Sequence, residues 1–217
     1  MKVDLHVHTR YSPDSLTDLE AVVRWARRAG LDALAITDHD TIEGAKALKT
    51  LSPFPIILGE EIRTSQGEVC GLFLRQTIAP GQTAEATMRQ IHEQEGIVYV
   101  PHPLDRLRRS ALRREILLRL LDHIDVVEVL NARVLLPLDN ERADALAQAH
   151  NLLRGAGSDA HHGFEIGRAH MEMPPFHDAP GFLQSLAQGD IRGGRSFPLV
   201  RLGSVYARMV KASRQSP

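Results

Sequence analysis

The first ten residues place two histidines one residue apart, in the order Lys2-Val3-Asp4-Leu5-His6-Val7-His8-Thr9. Successive side chains of an extended strand point to opposite faces, so His6 and His8 share a face with Asp4, while Val3, Leu5 and Val7 take the other face. Two neighbouring imidazoles are a ready pair of nitrogen ligands for one divalent metal, and Asp4 is placed to orient a ring. Alone, the pattern also fits a solvent-facing polar stripe on an edge strand.

The composition is that of a soluble globular protein of 217 residues, which is enough for a sizeable core. The 26 Lys and Arg nearly balance the 27 Asp and Glu, so no global basic field recruits nucleic acid. The lone cysteine, Cys70, excludes an internal disulfide framework and fits a reducing cytosol. No segment approaches the roughly 20 apolar residues of a membrane helix, and the N-terminus lacks a signal-peptide core. We expect a cytoplasmic protein without membrane contact, folded as one domain over residues 1–217.

Buried-type strands alternate with helices along the chain, and this order predicts an α/β fold with a parallel sheet. About seven such units favour a barrel over an open sheet, here a distorted (β/α)7 barrel. The predicted strands run through residues 2–8, 33–37, 56–58, 68–74, 97–100, 125–130 and 152–155, with less regular ones at 169–173 and near 191. The predicted helices run through residues 17–29, 42–51, 83–94, 138–149, 180–188 and, as a terminal amphipathic helix, 199–212. A basic loop and helix together are predicted over residues 106–121.

Polar side chains follow the predicted strands at the points where they end. In a closed parallel barrel these points lie on one rim, and six strand ends meeting there favours a single site over unrelated surface residues. The residues are His6, His8, Asp38, His39, Glu61, His102, Asn131, Asp159 and His161. Histidine and carboxylate without thiolate suit Zn, Mn, Fe or Ni, and so many donors predict two or three ions with Glu61 as a bridge.

Taken jointly and in order, the motifs resemble those of the polymerase-and-histidinol-phosphatase (PHP) domain family. The resemblance covers the chain from Met1 to about Arg195. It rests on His6-Val7-His8-Thr9 with Ser12 and Asp14, Thr37-Asp38-His39, Gly59-Glu60-Glu61, Pro101-His102-Pro103 and Gly157-Ser158-Asp159-Ala160-His161. It implies a distorted seven-stranded barrel that carries up to three metals on its rim.

The resemblance also implies a set of ligands for each metal. One metal takes His6, His8, Glu61 and Asp159, and another takes Asp14, His39 and His161. The remaining metal shares Glu61 and takes His102. Many relatives complete that third site with a histidine, where this chain has Glu68, and a carboxylate there favours a harder ion such as Mn over Zn.

Hydrolysis of a phosphate ester is the reaction that the resemblance implies, by attack of a metal-bridging hydroxide and without a covalent enzyme intermediate. We predict catalytic roles for Glu61, Asp159 and His161, with two or three Mn, Zn or Fe ions as cofactors. Phosphate binding is expected from arginine, which grips two oxygens at once. The candidates are Arg106, Arg133 and Arg168, although the arginines between 106 and 114 also fit a solvated helix face.

Four functions stay open at this point. The leading one is a small stand-alone phosphoesterase for a soluble phosphorylated metabolite or nucleotide. A nuclease for short RNA or single-stranded DNA ends draws on the basic stretch 106–114 and on the basic tail Arg201, Arg208, Lys211 and Arg214, although aromatic residues for base stacking are few. C–N or C–O bond hydrolysis and a non-enzymatic binding module are the others. The sequence leaves the oligomeric state open. His92, His123, His150, His162, His170 and His177 are expected to be surface or satisfied residues, with a substrate contact as the alternative for His162.

Overall fold

A computed structural model of the protein describes residues 1–215, and Ser216 and Pro217 of the predicted domain lie outside that range. The strands are Lys2–Val7 (β1), Ala33–Ile36 (β2), Ile56–Thr64 (β3), Gly67–Leu72 (β4), Ile97–Val100 (β5), Val126–Asn131 (β6), Leu153–Gly157 (β7), Ala169–Glu172 (β8) and Asp190–Gly193 (β9). The helices are Leu19–Ala29 (α1), Glu43–Leu51 (α2), Ala84–Glu93 (α3), Arg114–Arg119 (α4), Pro137–Ala149 (α5), Ala179–Leu186 (α6) and Val200–Gln215 (α7).

The nine strands form one curved sheet in the order β7-β6-β5-β4-β3-β2-β1-β8-β9. Strands β1, β2 and β3 are parallel, as are β5, β6 and β7, and the antiparallel β4 lies between the two groups. The segment after β7 returns to β1, because the His8 amide donates to the carbonyl of Ala160 at 2.9 Å. The sheet therefore nearly closes, and the predicted distorted α/β barrel is confirmed.

The first strand is less regular than its alternation predicts. Val3 and Leu5 pack into the same buried cluster as Tyr99 and Phe182, whereas Val7 packs with residues of α1 in another cluster. The pairing of β1 with β2 shifts register between Asp4 and Val7, which breaks the period-two pattern. The prediction that Val3, Leu5 and Val7 share one face is therefore wrong.

The stretch predicted as a basic loop and helix over residues 106–121 is helical only in α4 and in a short turn that follows it. Residues 106–113 form an irregular loop, because their backbone pairs with the β3–β4 hairpin instead of with itself. The Glu68 amide donates to the carbonyl of Ser110 at 2.8 Å, and the Arg113 amide donates to the carbonyl of Gln66 at 3.1 Å. The basic stretch is therefore part of the barrel rim and not a solvated helix face.

The C-terminal helix α7 lies across the rim on a face of small residues. Ser204 and Ala207 are buried there, and a Cβ on Gly203 would lie 1.9 Å from His162 Nε2. Polar contacts hold the helix, since Arg133 donates to the carbonyl of Val200 and to Ser204 Oγ, both at 3.0 Å. Within residues 1–215 no helix has the length and apolar character needed to cross a bilayer.

Phe182→Ala should lower the free energy of unfolding by about 3–5 kcal/mol, because it removes a fully buried ring from the core. The ring lies against Phe73 and Phe176, with centroids 5.4 and 5.1 Å away. Urea unfolding in the presence of EDTA measures the effect free of metal linkage. Phe197→Ala is the matched control, because that ring is 69% exposed, and an equal loss in both variants would contradict the assignment of Phe182 to the core.

Candidate metal centre

All nine predicted ligands meet at the rim of the barrel, where different strands deliver them. His6 lies on β1 and His8 directly follows it, and Asp159 and His161 come from the segment after β7. The other donors are Asp14, His39, Glu61, Glu68 and His102, and apart from His39 every ligand of the nine is less than 9% exposed. His102 and Asp159 have φ values of +31° and +53°, which only tight surroundings impose on residues other than glycine.

The first group of donors surrounds one oxygen of Glu61. Glu61 Oε2 lies 3.4 Å from His6 Nε2 and 3.2 Å from His8 Nε2. Asp159 Oδ1 faces the same two nitrogens at 3.7 and 3.6 Å. This is the group that the resemblance implies for one metal.

The second group joins Asp14 to two histidines. Asp14 Oδ1 lies 3.2 Å from His161 Nε2, and Asp14 Oδ2 lies 3.5 Å from His39 Nε2. His8 also has a ligand atom within 4.8 Å of this group. The predicted set of Asp14, His39 and His161 therefore meets in the structure, with His8 as an additional neighbour.

The third group of donors includes Glu68. His102 Nε2 lies 2.9 Å from Glu61 Oε1 and 3.7 Å from Glu68 Oε2. His39 Nδ1 lies 3.3 Å from Glu61 Oε2 and 3.9 Å from Glu68 Oε1. Glu68 therefore reaches the centre, and Glu61 contacts all three groups as a bridging ligand must.

The arrangement of the donor atoms fits divalent metal ions better than it fits protons. Several buried carboxylate oxygens have no hydrogen-bond partner among the described residues: Asp14 Oδ1, Glu61 Oε2, Glu68 Oε2 and Asp159 Oδ1. His6 Nε2 and His8 Nε2 face one another at 3.0 Å, although a neutral imidazole has only one N–H and here the other ring nitrogens have their own partners. A buried acceptor without a hydrogen-bond partner destabilises the fold, and divalent metals would supply the missing partners. The residues of this site therefore fit bound divalent metals.

Burial and the charges of the cluster set the protonation of individual donor side chains. Burial lowers the pKa of His8 to about 3, which keeps its ring neutral, as metal binding requires. Burial also acts to lower the pKa of His39, but the carboxylates of Glu61 and Asp14 raise it to about 10. Burial acts to raise the pKa of Glu61, but the charges of His39 and His6 hold it well below its usual range. Glu61 is therefore ionised at neutral pH and attracts cations.

Glu128 orients the centre and was not identified from the sequence. One oxygen lies 3.0 Å from His6 Nδ1 and accepts from the Tyr99 hydroxyl at 3.0 Å. The other accepts from the His102 amide at 2.6 Å and from Asn131 Nδ2 at 2.8 Å. A single glutamate inside the apolar strand β6 is the sequence signal that could have revealed it.

Asp4 has a different role from the predicted one. Its carboxylate accepts from the backbone amides of His6 at 3.2 Å, Ser158 at 2.9 Å and Gly167 at 2.8 Å. It therefore ties together the backbone of β1 and of the segments after β7, and it contacts no imidazole. The prediction that Asp4 orients a ring is wrong, because Glu128 on β6 contacts the His6 ring instead.

The predicted arginines lie in three different environments. Arg133 lines the cavity above the metal centre, where its Nε lies 3.2 Å from Glu165 Oε1. Arg106 donates through Nε to Asp139 at 2.8 Å and lies outside that cavity. Arg168 is exposed in a separate surface cleft. The structure therefore brings only Arg133 of the three to the centre.

Arg108, which was not among the three predicted arginines, contacts a candidate metal ligand directly. It donates to Asp159 Oδ2, and its Nε lies 3.7 Å from Asp105 Oδ2. Burial acts to raise the pKa of Asp159, but the Arg108 guanidinium holds it well below its usual range. Arg106 and Arg109 carry the same charge as Arg108, so only the path of the loop determines that Arg108 contacts Asp159.

The cavity above the centre has a volume of about 600 Å³ and a strongly basic wall. Asp14, His39, Glu68 and His161 reach it from the metal centre. Six arginines line it: Arg63, Arg108, Arg109, Arg133, Arg201 and Arg208. Helix α7 therefore contributes two arginines to the same space as the candidate ligands.

The rim of the barrel carries groups of histidines and carboxylates that could hold metal ions. The chain belongs to the PHP domain family, whose pattern matches residues 4–129, and the PHP-associated family matches residues 137–191. The protein MJ1587 of Methanocaldococcus jannaschii is 37% identical over 146 residues, which are 61% of this chain and 82% of the relative. MJ0417 of the same organism is 34% identical over 176 residues, which are 80% of this chain and 70% of the relative.

Solved structures share the fold at low sequence identity. PsfC from Pseudomonas syringae is 19% identical with a TM-score of 0.70, covering 96% of this chain and 98% of that one. An amidohydrolase from Chromobacterium violaceum is 19% identical with a TM-score of 0.62, covering 94% and 96%. A Bifidobacterium adolescentis protein, assigned as a metal-dependent phosphoesterase, is 18% identical with a TM-score of 0.61, covering 75% and 88%. These likenesses establish the barrel and leave the substrate open.

Proposed function

We propose that the protein hydrolyses phosphate esters of a small phosphorylated metabolite or nucleotide. The observation that carries this proposal is the cavity itself, in which six arginines surround the opening of the metal centre. Arginine binds phosphate oxygens through paired N–H groups, and neutral amide or ester substrates have no need of such a wall. The volume of about 600 Å³ lies in the range of small-molecule sites.

The arginines of the wall divide into fixed and free groups. Arg108 and Arg133 are held by buried carboxylates, and Arg201 donates to Asp105 at 3.0 Å. Arg109 and Arg208 are exposed and form no ion pair with any residue of the described chain. We assign the free pair to the oxygens of the substrate and the fixed group to the positive field that attracts it.

The chain's own residues divide the remaining work. Glu61 and Asp159 would hold metal ions beside the cavity. His161 lines the cavity wall, with its Nδ1 directed to the carbonyl of Asp159 at 2.8 Å. Helix α7 covers one side of the cavity and limits the entry of water. When divalent metals are bound, they supply a nucleophilic hydroxide at neutral pH and positive charge for the phosphoryl oxygens.

A nuclease for short single strands is the second candidate. Arg109, Arg113 and Arg114 form a basic surface beside the cavity, and this surface favours an anionic substrate that extends outside it. The basic tail offers fewer free cationic groups for nucleic acid than its sequence indicates. Arg201 and Arg208 line the cavity, and Lys211 donates to the carbonyls of Arg10 and Ser12. A nuclease should lose affinity steeply with salt, whereas a small-molecule phosphatase should not.

The test is release of phosphate from sugar phosphates, mononucleotides and bisphosphorylated nucleotides, together with cleavage of short RNA, in the presence of Mn, Zn or Fe. We expect turnover of one class of small substrate and none with His8→Ala. Turnover of RNA alone would favour the nuclease. Hydrolysis of a C–N bond with no phosphate ester turned over would contradict the proposal.

Arg208→Ala should raise KM for the phosphorylated substrate about tenfold and change kcat by less than about threefold, as expected when a charge-assisted contact outside the reacting centre is lost. Steady-state kinetics in buffers of fixed ionic strength provide both constants. Arg24→Ala removes the same charge from the exposed face of α1 and should change neither. An equal rise of KM in both variants would show that Arg208 acts only through net charge.

Glu68→His should shift the metal preference from Mn toward Zn, because it exchanges a carboxylate oxygen for an imidazole nitrogen at the third group of donors. Competitive loading followed by elemental analysis measures the ratio of bound Zn to Mn. Glu68→Gln is the control, since it removes the charge without adding a nitrogen ligand. The same ratio in all three proteins would place Glu68 outside the metal shell.

A further inference from the structure

A second cleft lies beside the metal cavity, on the outer side of the loop that follows β5. Its volume is about 690 Å³, and its walls come from residues 104–114 and from α5. Leu104, Leu112 and Leu146 give it an apolar floor, and six arginines line it. None of the candidate metal ligands lines this cleft, so the metal centre does not account for it.

The charge in the cleft is only partly balanced. Arg106 and Arg142 share the buried Asp139, at 2.8 and 3.5 Å. Arg109 and Arg114 are exposed and have no ion pair or hydrogen bond from their side chains within residues 1–215. Arg113 reaches only the carbonyl of Ser65, at 3.3 Å. Three guanidinium groups therefore stand over an apolar floor without a carboxylate partner.

The loop that separates the two cavities is held in a strained conformation. His102 has a φ of +31° and Leu104 has a φ of +62°, in a segment that places the first at the metal centre and the second in the cleft. Residues other than glycine keep such angles where the surroundings enforce them, and these positions concentrate at binding sites. Arg108 and Arg109 line both cavities, so the cleft is adjacent to the metal cavity. No candidate metal ligand lines the cleft, so it is not part of the metal site.

We propose that this cleft is a second binding site, for a small organic anion whose apolar body lies on the leucine floor. The anionic group, a phosphate, sulfate or carboxylate, binds Arg113 and Arg114, which line this cleft and not the metal cavity. The volume lies within the range of small-molecule sites, and an apolar surface with a few convergent polar groups is typical of them. The site needs no metal.

The test is a fluorescence titration of the full chain, with Mn present, using 1-anilinonaphthalene-8-sulfonate, which joins an apolar ring system to one sulfonate. Arg114→Glu reverses a charge that belongs to this cleft and not to the metal cavity, and Ala145→Trp fills the cleft from an exposed position on α5. Each should raise the dissociation constant at least about tenfold, the size of a lost charge-assisted contact. Arg24→Glu and Ala149→Trp are matched controls on exposed helix positions and should stay within twofold.

Two more variants separate this cleft from other surfaces that could hold the probe. Arg208→Glu alters only the metal cavity, and Met209→Ser alters the exposed apolar side of α7. Both should bind the probe as the wild-type protein does. Loss of binding in either one, with binding retained in Arg114→Glu and Ala145→Trp, would overturn the proposal, as would the absence of saturable binding to the wild-type protein.

Discussion

Glu61→Gln should lower kcat for phosphate-ester hydrolysis at least about 1,000-fold while the fold is retained. Glu61 is the one carboxylate that contacts all three groups of donors, with Oε2 at 3.4, 3.2 and 3.3 Å from His6, His8 and His39, and Oε1 at 2.9 Å from His102. Glutamine has nearly the same shape but loses the negative charge, and its NH2 group offers hydrogens where the site needs an electron-pair donor. The substitution therefore removes the bridge without opening a cavity.

Two measurements check this prediction together: kcat at saturating Mn, and the number of metals bound per chain by elemental analysis. Both should fall. Glu60→Gln is the matched control, because Glu60 is the adjacent residue, is equally buried, and accepts from the Ile78 amide at 2.9 Å instead of from an imidazole. Its kcat should stay within about tenfold of the wild-type value. A Glu61→Gln protein that keeps both its metals and its rate would show that Glu61 is not the bridge.

Asp159→Ala should abolish activity to a similar extent and should also destabilise the protein. Asp159 Oδ1 lies 3.7 and 3.6 Å from His6 and His8, and Oδ2 accepts from Arg108 and, at 3.2 Å, from Asn131. Truncation removes the donor and also leaves the largely buried Arg108 without its closest carboxylate. Breaking a buried ion pair from one side costs about 3–5 kcal/mol.

Asp159→Asn separates the two effects. The amide oxygen can still accept from Arg108, so urea unfolding in EDTA should show a much smaller loss of stability than for alanine. Activity should nevertheless be lost in both variants, because the amide is a poor metal ligand. Activity above about a tenth of the wild-type rate in Asp159→Asn would argue that Asp159 serves the fold through Arg108 and not the reaction.

The barrel and the meeting of the nine predicted ligands could be predicted because both depend on local signals. Apolar runs such as 33–36 mark buried parallel strands, and the chain delivers polar residues directly after them. Strands that run in parallel have their carboxyl ends on one rim, so a donor's position in the chain indicates its position in space. Asp14 and Glu68 do not follow a strand in this way, and they were predicted only because the chain resembles the PHP family.

The contacts of the arginines could not be predicted from such local signals. Arg106 and Arg108 are two residues apart and chemically identical, yet Arg106 pairs with Asp139 and Arg108 reaches Asp159. The choice depends on the loop 106–113, whose backbone pairs with the β3–β4 hairpin instead of forming a helix. No local pattern encodes that pairing, because its partners lie about 40 residues earlier in the chain.

The sequence by itself determined the α/β barrel, the family and the residues that could bind metals, since strand periodicity and motif spacing are properties of short segments. Only the tertiary structure decided which side chains orient those ligands and which arginines line the cavity. Glu128 contacts a histidine 122 residues away, and Arg201 contacts an aspartate 96 residues away. Contacts over such separations are set by how the strands pair and how α7 packs across the rim, because a side chain acts on whatever folding brings within a few ångströms of it.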